Sequence, residues 1–440
     1  MSSSDAGHSL KAADWFGQPR GLTILFLTDM WEQFSFYGMR ALLVYYMIKQ
    51  LLIPQQQASL IYGLYAACVF LTPLIGGAIA DRWLGRKTAV VLGGLIMACG
   101  HFVMAFEPLF YPALIMIASG NGLFMPSLPG QIDGLYSHDD PRRRSAYNVY
   151  YVGINLGAFL APLVAGTIGE IYGWHWGFGV AGIGMVIGLL TYLAGGRYLP
   201  VDERTVRRAK PERDVSTATS EGWTRKAVFD RFVLLLSIAA CVVVFRGAYE
   251  QIGNTVALWL DQGVDRSVSA RWAVPLTWFQ ALNPLEVFLF SPVLISLWTR
   301  RAAVNKEPSS IVKMWTGAIL VACSYGLLAL VAWWSSAHGV RSRWLWLMVF
   351  FVVMTIGELH ILPVGLGLFG RLAPHSFSAT TIATWYLAGF FGNLLAGWLG
   401  GFWSDIGHGL FFSLVAALAL GGGLLLLTLR RWAGRVEAQA

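Results

Sequence analysis

An apolar segment from about residue 21 to residue 48 contains charged side chains at the depth of a membrane. About 20 residues cross the hydrocarbon core of a bilayer, and each charge placed there costs about 2.5–3.5 kcal/mol on insertion scales. Such charges are retained mainly where they face a bundle interior or a water-filled cavity. If the segment is a helix, the residue spacing puts five side chains on one stripe of its surface: Asp29, Glu32, Phe36, Met39 and Arg40. The segment is therefore predicted to line a functional site, with a buried ion pair that only locks two helices as the alternative.

The composition excludes an ordinary soluble protein. Of the 440 residues, 56% are hydrophobic and 13% are charged, whereas about a quarter of the residues in soluble domains are charged. Hydrophobic runs bounded by Gly, Pro and charge clusters predict twelve membrane spans, which should be helices because lipid offers no partner to an unpaired backbone group. The predicted spans are 21–48, 58–80, 88–107, 109–135, 146–172, 175–198, 232–260, 272–298, 314–334, 344–370, 377–402 and 409–429.

Basic residues are unevenly distributed over the predicted loops. The first 20 residues are polar and lack the pattern of a signal peptide, so the N-terminal tail is predicted to be cytosolic. The inner loops and tails then contain 25 of the 32 Lys and Arg residues, and the outer loops contain only Lys49, Arg266, Arg271, Arg341 and Arg343. This bias predicts a multi-pass protein of the cell (inner) membrane with both termini cytoplasmic. The net charge of +8 is thus explained by the Lys and Arg residues on the cytoplasmic side of the membrane, and no nucleic-acid partner is expected.

One long polar loop divides the chain into two sets of six spans. Its richness in Arg, Lys, Glu, Pro, Ser and Thr is typical of a solvated linker. The predicted organisation is a cytoplasmic N-terminal tail (1–20), a six-helix bundle (21–198), a cytoplasmic linker (199–231), a second six-helix bundle (232–429) and a cytoplasmic C-terminal tail (430–440).

The two sets of spans repeat short motifs. Glu32-Gln33 in span 1 corresponds to Glu250-Gln251 in span 7, GNGLFMP in span 4 to GELHILP in span 10, and NLGAFLAPLVAG in span 5 to GNLLAGWLGG in span 11. Chance explains one such pair more readily than three pairs in register. Two similar halves are typical of a transporter with the major facilitator fold, an all-α membrane protein of twelve helices in two six-helix halves. Its substrate site lies at the midplane between the halves.

The loop after span 2 reads GGAIADRWLGRK. It resembles the cytoplasmic loop signature of the major facilitator superfamily. The resemblance implies a gating role for Asp81, which would pair with basic residues such as Arg86 in one conformational state. An ordinary positive-inside loop is the alternative, and it would explain Arg86 but not the Gly-Gly and Asp arrangement.

Longer stretches resemble the proton-dependent oligopeptide transporter family over nearly all of residues 20–403. They are WEQFSFYGMRALL, GNGLFMPSLPG, DPRRRSAYNVYYVGINLGAFLAP, GWHWGFGVAGIGM, YEQIGN, WFQALNPL, GELHILPVGL and LAGFFGNLLAG. The resemblance implies a secondary active transporter, not an enzyme, that takes up di- and tripeptides together with protons and uses no cofactor or metal. Many bacterial members have two further helices between the halves, for which the polar loop has no room, so a twelve-helix form is predicted.

A zwitterionic peptide held between two halves needs a cation and an anion. Arg40 offers bidentate hydrogen bonds to a carboxylate, and Glu358 in the opposite half offers a counter-charge to an ammonium. The other predicted substrate-binding residues are amides for the peptide bond and aromatic walls of the side-chain pockets: Tyr37, Asn155, Gln280, Asn283 and Trp385. For each aromatic residue, packing within the bundle or a place in an interfacial belt is at least as good an explanation.

Several positions depart from the family pattern. Gln33 stands where the span-1 motif has an arginine, and Met125 stands where span 4 has a lysine. The resemblance links Glu250 to gating and protonation. The carboxylates predicted to take part in proton coupling are Asp29, Glu32, Glu250 and Glu286. Together with Glu358 they outnumber the two arginines of the spans, so proton binding stays available without a lysine-based relay.

Three functions remain open at this point. The first is uptake of short peptides or peptide-like compounds by a monomer in the lipid bilayer, with protons as the coupling ion. The second is a facilitator, or a transporter of another carboxylate-bearing compound, since family membership does not fix the substrate. The third is a transport-inactive sensor or assembly partner, which explains the lost cations but not the retained Arg40 and Glu358. That retained pair favours transport.

Overall fold

A computed structural model describes residues 14–15, 17–137, 140–200, 225–373 and 378–437. Long helices dominate both parts of the chain. The helices before residue 200 are α1 (Arg20–Lys49), α2 (Gln55–Ile79), α3 (Arg86–Val103), α4 (Phe110–Ser127), α5 (Arg143–Ala161), α6 (Thr167–Tyr172) and α7 (Trp174–Ala194). The helices after residue 224 are α8 (Arg225–Tyr249), α9 (Thr255–Gly263), α10 (Leu282–Ala302), α11 (Ser310–His338), α12 (Leu345–Leu372), α13 (Ser378–Gly400) and α14 (His408–Glu437).

Two membrane spans contain more than one helix. A π-helical turn, Pro162–Gly166, joins α5 to α6, where Pro162 lacks the N–H that would continue the α-helical ladder. A 3-10 segment, Glu250–Gly253, joins α8 to α9. Eleven helical segments among the described residues are long and apolar enough to cross a membrane. The 30-residue α1 is the twelfth long span and is less apolar, because it contains Asp29, Glu32 and Arg40.

The same helix pairings occur in each half. In the first half, α1 packs against α5 and α7, α4 packs against α2 and α3, and α3 packs against α7. In the second half, α8 packs against α13 and α14, α12 packs against α10 and α11, and α11 packs against α14. This repeated arrangement matches the motif repeat of the sequence. It confirms the predicted fold class, an all-α membrane protein with two six-helix halves.

Glycines permit the closest helix crossings. A Cβ added at Gly93 would lie 2.6 Å from the carbonyl oxygen of Gly120, where α3 crosses α4. At the corresponding crossing of α11 and α12, a Cβ added at Gly317 would lie 2.5 Å from the carbonyl oxygen of Gly357. Both distances are far inside van der Waals contact. Only small residues let two membrane helices approach so closely.

The halves meet along two helix pairs, α2 with α13 and α5 with α10. At the first pair, a Cβ added at Gly63 would lie 2.4 Å from the Cα atom of Gly397, so the two backbones touch. Most of the predicted linker, at residues 201–224, lies outside the described residues, as do residues 1–13 of the N-terminal tail. The domain boundaries proposed for those segments stay predictions.

Six short strands occur in the loops: β1 (Asp14–Trp15), β2 (Gln18–Pro19), β3 (Val264–Asp265), β4 (Ser267–Ser269), β5 (Trp272–Ala273) and β6 (Ser342–Arg343). The antiparallel pairs are β1 with β2 and β4 with β5. The remaining pair, β3 with β6, is parallel. It links the loop after α9 to the loop before α12.

Among the span boundaries that differ from the sequence prediction, two have a clear local cause. The predicted start of span 8 at residue 272 falls in β5, and the helical part begins with the 3-10 segment Leu276–Ala281. Pro275 precedes this segment and has no N–H for a longer helix. The last span continues to Glu437 instead of ending at residue 429, because its final turns keep Ala433 and Val436 buried on one face.

Candidate functional site between the halves

Glu250, where α8 meets α9, receives one arginine from each half. Arg40 of α1 contacts the carboxylate through Nη2. Arg246, one turn earlier in α8, has its Nη1 atom 3.2 Å from Oε1 of Glu250. The Glu250 side chain is only 2% exposed, so its charge is balanced inside the protein. Removing one partner of a buried ion pair typically costs about 3–5 kcal/mol, so this contact links the position of α1 to that of α8.

Aromatic rings surround both guanidinium groups. Arg40 donates from Nε to the Tyr62 hydroxyl over 2.8 Å, and its guanidinium lies 5.9 Å from the ring centre of Tyr37. The guanidinium of Arg246 lies 4.9 Å from the ring centre of Phe70 in α2. Cation–π contacts stabilise these charges without adding an anion. Two cations therefore share one carboxylate, Glu250, and one positive charge is left for an anionic ligand.

Glu358 of α12 belongs to a polar network in the second half. Asn283 of α10 donates from Nδ2 to Oε2 of Glu358 over 2.6 Å and to Oγ1 of Thr355 over 3.0 Å. Nearby in α10, Glu286 is 5% exposed, and its Oε2 atom has no hydrogen-bond partner. Within the part of the chain that the structure describes, neither Glu286 nor Glu358 forms an ion pair. This half therefore presents negative charge opposite Arg40.

Two other residues predicted to bind substrate contact the protein itself. Asn155 donates to the backbone carbonyl of Tyr151 in its own helix over 3.0 Å. Gln280 donates to the backbone carbonyl of Ala41 over 3.2 Å, and so joins the second half to α1. In this conformation both amides are engaged, and a peptide would have to displace these carbonyl groups. Their substrate-binding roles stay predictions.

Trp385 packs within the second half. Its ring centre lies 5.1 Å from that of Phe369, and a Cβ added at Gly365 would lie 2.7 Å from the indole. In this conformation, packing within the bundle therefore describes Trp385 better than a role as the wall of a substrate pocket does. By contrast, Tyr151 of α5 was not predicted as a site residue. It is 49% exposed, and its backbone carbonyl accepts the hydrogen bond of the predicted site residue Asn155, so it borders the site.

Asp29 and Glu32 lie inside the first half, where neutral groups hold them. The Tyr150 hydroxyl of α5 donates to Oδ1 of Asp29 over 2.6 Å. Gln33 donates to Glu32 over 2.7 Å, and Asn121 of α4 donates to it over 3.5 Å. Both carboxylates are buried, and among the described residues neither forms an ion pair. The polar stripe predicted for α1 is therefore split between two neighbours in the same half, α5 and α4.

Hydrogen bonds between the halves gather at the end of the bundle opposite the basic loops. Glu170 of α6 accepts hydrogen bonds from the backbone N–H groups of Leu276 and Thr277, over 2.9 and 2.7 Å, and from the Thr277 hydroxyl over 2.7 Å. Further links at this end join Trp278 to Thr167, Lys49 to Asp261, and Ser59 to Asn254. This end of the site is therefore closed in the structure.

Sequence reasoning missed Glu170 as a functional residue. It lies three residues before Gly173 at the end of span 5, where a carboxylate looks like an ordinary interfacial charge. The available signal was that Glu170 is the only acidic residue in the predicted span 146–172. Its partners are backbone groups that come from residues more than 100 positions away, and no local pattern indicates them.

The predicted gating pair lies in the loop after α2. Arg86 Nε is 3.9 Å from Oδ1 of Asp81, and Arg86 also donates to the carbonyl of Gly130 over 2.6 Å. The Asp81 side chain is 69% exposed, so the pair is weak in this conformation. All three residues belong to the first half. The gating role stays a prediction.

Two six-helix halves with a charged site between them define the class of protein, a secondary transporter with the major facilitator fold. Within that class, a family model described as the POT family matches residues 87–204 and 217–409, well over half of the chain. The chain belongs to the POT family.

Relatives and solved structures agree with this assignment. A di-/tripeptide transporter from Lactococcus lactis subsp. cremoris is 34% identical over 85% of this chain and 87% of its own. The uncharacterized transporter YclF from Bacillus subtilis is 32% identical over 96% of each chain. The crystal structure of a POT peptide transporter in complex with alafosfalin has a TM-score of 0.86, with 28% identity over 97% of each chain.

Proposed function

We propose that this protein takes up di- and tripeptides or peptide-like compounds and that inward proton movement drives the uptake. The observation that carries the proposal is the opposition of Arg40 on α1 and Glu358 on α12, with a surplus cation on one side and, on the other, a carboxylate that forms no ion pair among the described residues. A zwitterion complements this arrangement. The resemblance to a di-/tripeptide transporter supports the same substrate class.

In the proposed complex, the peptide carboxylate binds Arg40 and the peptide ammonium binds Glu358. Asn283 already donates to Glu358, and so it holds that carboxylate in place. Tyr37 lies beside the Arg40 guanidinium and supplies an aromatic wall. Because the two charged ends belong to different halves, one bound peptide would stabilise a conformation in which the halves close around it.

The proposed coupling uses two carboxylates in different surroundings. A peptide carboxylate that binds Arg40 competes with Glu250, which still has Arg246 on its other oxygen. Protonation of Glu250 would release Arg40 more completely. Among the described residues Glu32 has no cationic partner, so a proton on it removes the cost of a buried charge. Loss of both protons to the cytosol would then favour return of the empty carrier.

The orientation and assembly are part of the same proposal. The basic loops face the cytoplasm of a cell (inner) membrane, both termini are cytoplasmic, and the protein acts as a monomer. The excess of Lys and Arg on the predicted inner side supports this orientation. The end closed by Glu170 is then the outer end.

Uptake by purified protein in liposomes tests the proposal. A mixed dipeptide library is presented with and without an imposed pH gradient, and the internal peptides are identified. We expect uptake of several dipeptides and a higher final concentration with the gradient. Equilibration without accumulation would favour a facilitator, which the missing cations at Gln33 and Met125 make the second candidate. No uptake of any dipeptide would overturn the proposal.

A further inference from the structure

An apolar groove opens between α5, the residues leading into α10, and the start of α12. Its volume is about 190 Å³, and six of its lining residues are Phe159, Leu163, Val274, Trp278, Trp344 and Met348. The only hydrogen-bond donor of the Trp278 side chain, Nε1, donates to the Thr167 hydroxyl over 2.7 Å. The apolar ring therefore lines the groove without an unsatisfied polar group. The groove lies at the end of the bundle that Glu170 closes, because its lining residue Trp278 follows Thr277, which binds Glu170.

Arginines lie at the rim of this groove. Arg266 donates from Nη1 to the carbonyl oxygen of Val274, itself a lining residue, over 2.6 Å. Arg343 is in β6, immediately before the lining residue Trp344, whose N–H donates to the carbonyl of Asp265 over 3.2 Å. The pairing of β3 with β6 holds these two loops together. The Arg266 guanidinium is therefore adjacent to the apolar groove, and Arg343 is one residue from its wall.

The charge at this rim is unusual for its position. Four of the five basic residues in the predicted outer loops belong to the two paired loops: Arg266, Arg271, Arg341 and Arg343. The nearby carboxylates are Asp265, which is exposed, and Glu170, which accepts hydrogen bonds from Leu276 and Thr277. A hydrogen bond from the Ser267 backbone lowers the pKa of Asp265, and Arg341 and Arg343 lower it further, so it stays ionised. Two carboxylates against four arginines leave a positive excess.

We propose that this groove binds one anionic phospholipid, with an acyl chain along the groove and the headgroup phosphate on Arg266 and Arg343. Tryptophan at the level of the headgroups is typical of a membrane interface. Lys and Arg near a membrane attract anionic lipids, and arginine suits the geometry of a phosphate. The groove excludes a free phosphate as the whole ligand, because its lining is apolar.

The site connects to the closed end of the transporter. Trp278 lines the groove and also bonds Thr167 across the halves, and the adjacent Thr277 binds Glu170. A lipid seated there therefore rests on the residues that hold the outer end shut. This inference concerns the outer surface, and it is independent of which compound the central site transports.

Native mass spectrometry of the detergent-purified full chain tests the proposal. The probes are phosphatidylglycerol, phosphatidylcholine and soluble glycerol phosphate. We expect phosphatidylglycerol to bind more tightly than phosphatidylcholine, and glycerol phosphate not to bind. The double variant Arg266→Gln/Arg343→Gln should weaken phosphatidylglycerol binding about thirtyfold. Arg82→Gln, which removes a charge in the loop after α2, should not change it.

Two further results decide the proposal. Trp344→Ala should weaken phosphatidylglycerol binding through loss of the groove wall, and Arg266→Lys/Arg343→Lys should keep most of it. Each variant is compared with the parent by size-exclusion chromatography, so that a folding defect is recognised. Equal binding of phosphatidylglycerol and phosphatidylcholine, or unchanged binding in the Gln double variant, would overturn the proposal. Binding of glycerol phosphate would replace the lipid site with a phosphate site.

Discussion

The carboxylates of this protein lie in two contrasting surroundings. Glu250, between the halves, is held by the guanidinium groups of Arg40 and Arg246. Asp29 and Glu32, inside the first half, are held by a hydroxyl and by amides, with no cation among the described residues. All three are buried to a similar degree. Burial alone therefore does not distinguish the three carboxylates. The residues that contact them do distinguish them.

This difference separates two tasks. Groups that bridge the halves respond to movement between the halves, because a relative shift of α1 and α8 breaks or forms an ion pair. Groups held by neutral partners within one half keep those partners during such a movement. We therefore expect Glu250 to link protonation to substrate binding and alternation through Arg40, and Glu32 to hold a coupling proton within the first half.

The largest expected effect follows from removing Arg40. Loss of one partner from a desolvated, charge-assisted pair costs about 2–5 kcal/mol, so Arg40→Ala should weaken peptide binding at least about thirtyfold. Arg40→Lys should restore only part of the binding affinity, because an ammonium group does not form the bidentate contact with a carboxylate. Peptide binding is measured by titration calorimetry on the purified variants.

Arg246→Ala is the matched control for Arg40. Both guanidinium groups contact Glu250, so an effect that acts through Glu250 alone would be equal in the two variants. We expect the Arg246 variant to retain more affinity than the Arg40 variant. Equal losses would remove Arg40 from the role of carboxylate-binding group.

The next effect concerns the ammonium end of the peptide. Acetylating the amine of a dipeptide should weaken its binding to the parent about tenfold or more, since a charge-assisted hydrogen bond is worth about 1.5–3 kcal/mol. The same acetylation should have little effect on binding to Glu358→Gln. Glu286→Gln is the control from the same half, and it should behave like the parent. An equal acetylation penalty in the Glu358 variant and the parent would point to another amine site.

The smallest effect is expected at Met125. This side chain stands where the family has a lysine, and it is 37% exposed and uncharged. Met125→Ala should therefore change peptide accumulation by less than about twofold, consistent with the usual size of exposed substitutions. A large loss in liposome uptake would mean that Met125 has a specific role that its chemistry does not suggest.

The sequence predicted the fold well and the site in part. Twelve spans and their repeat followed from hydropathy and from motif pairs such as Glu32-Gln33 with Glu250-Gln251. The start of span 8 was wrong, because the apolar residues Trp272 and Ala273 satisfy a hydropathy pattern equally well as a strand. Hydropathy reports the free energy of transfer to lipid. It does not report the backbone hydrogen bonds that decide whether a segment is a helix or a strand.

Which residues contact each other in the site was harder to predict from the sequence. The stripe on α1 indicated that Asp29, Glu32 and Arg40 matter, but not that Arg40 pairs across the halves with Glu250, 210 residues away. Helical periodicity fixes directions within one helix only. Which neighbour occupies each direction depends on the packing of α1 against α4, α5 and α8, which the local sequence does not encode.

The central claim is that protons drive peptide accumulation through Glu32 and Glu250. The direct measurement is dipeptide accumulation in proteoliposomes under an imposed pH gradient and membrane potential, for the parent, Glu32→Gln and Glu250→Gln. Each charge moved per cycle is worth about 2.3 kcal/mol per 100 mV, which by itself supports roughly fiftyfold accumulation. The account predicts accumulation by the parent and mere equilibration, or no uptake, by both variants. Parent uptake that only equilibrates the peptide, or accumulation that neither variant impairs, would contradict it.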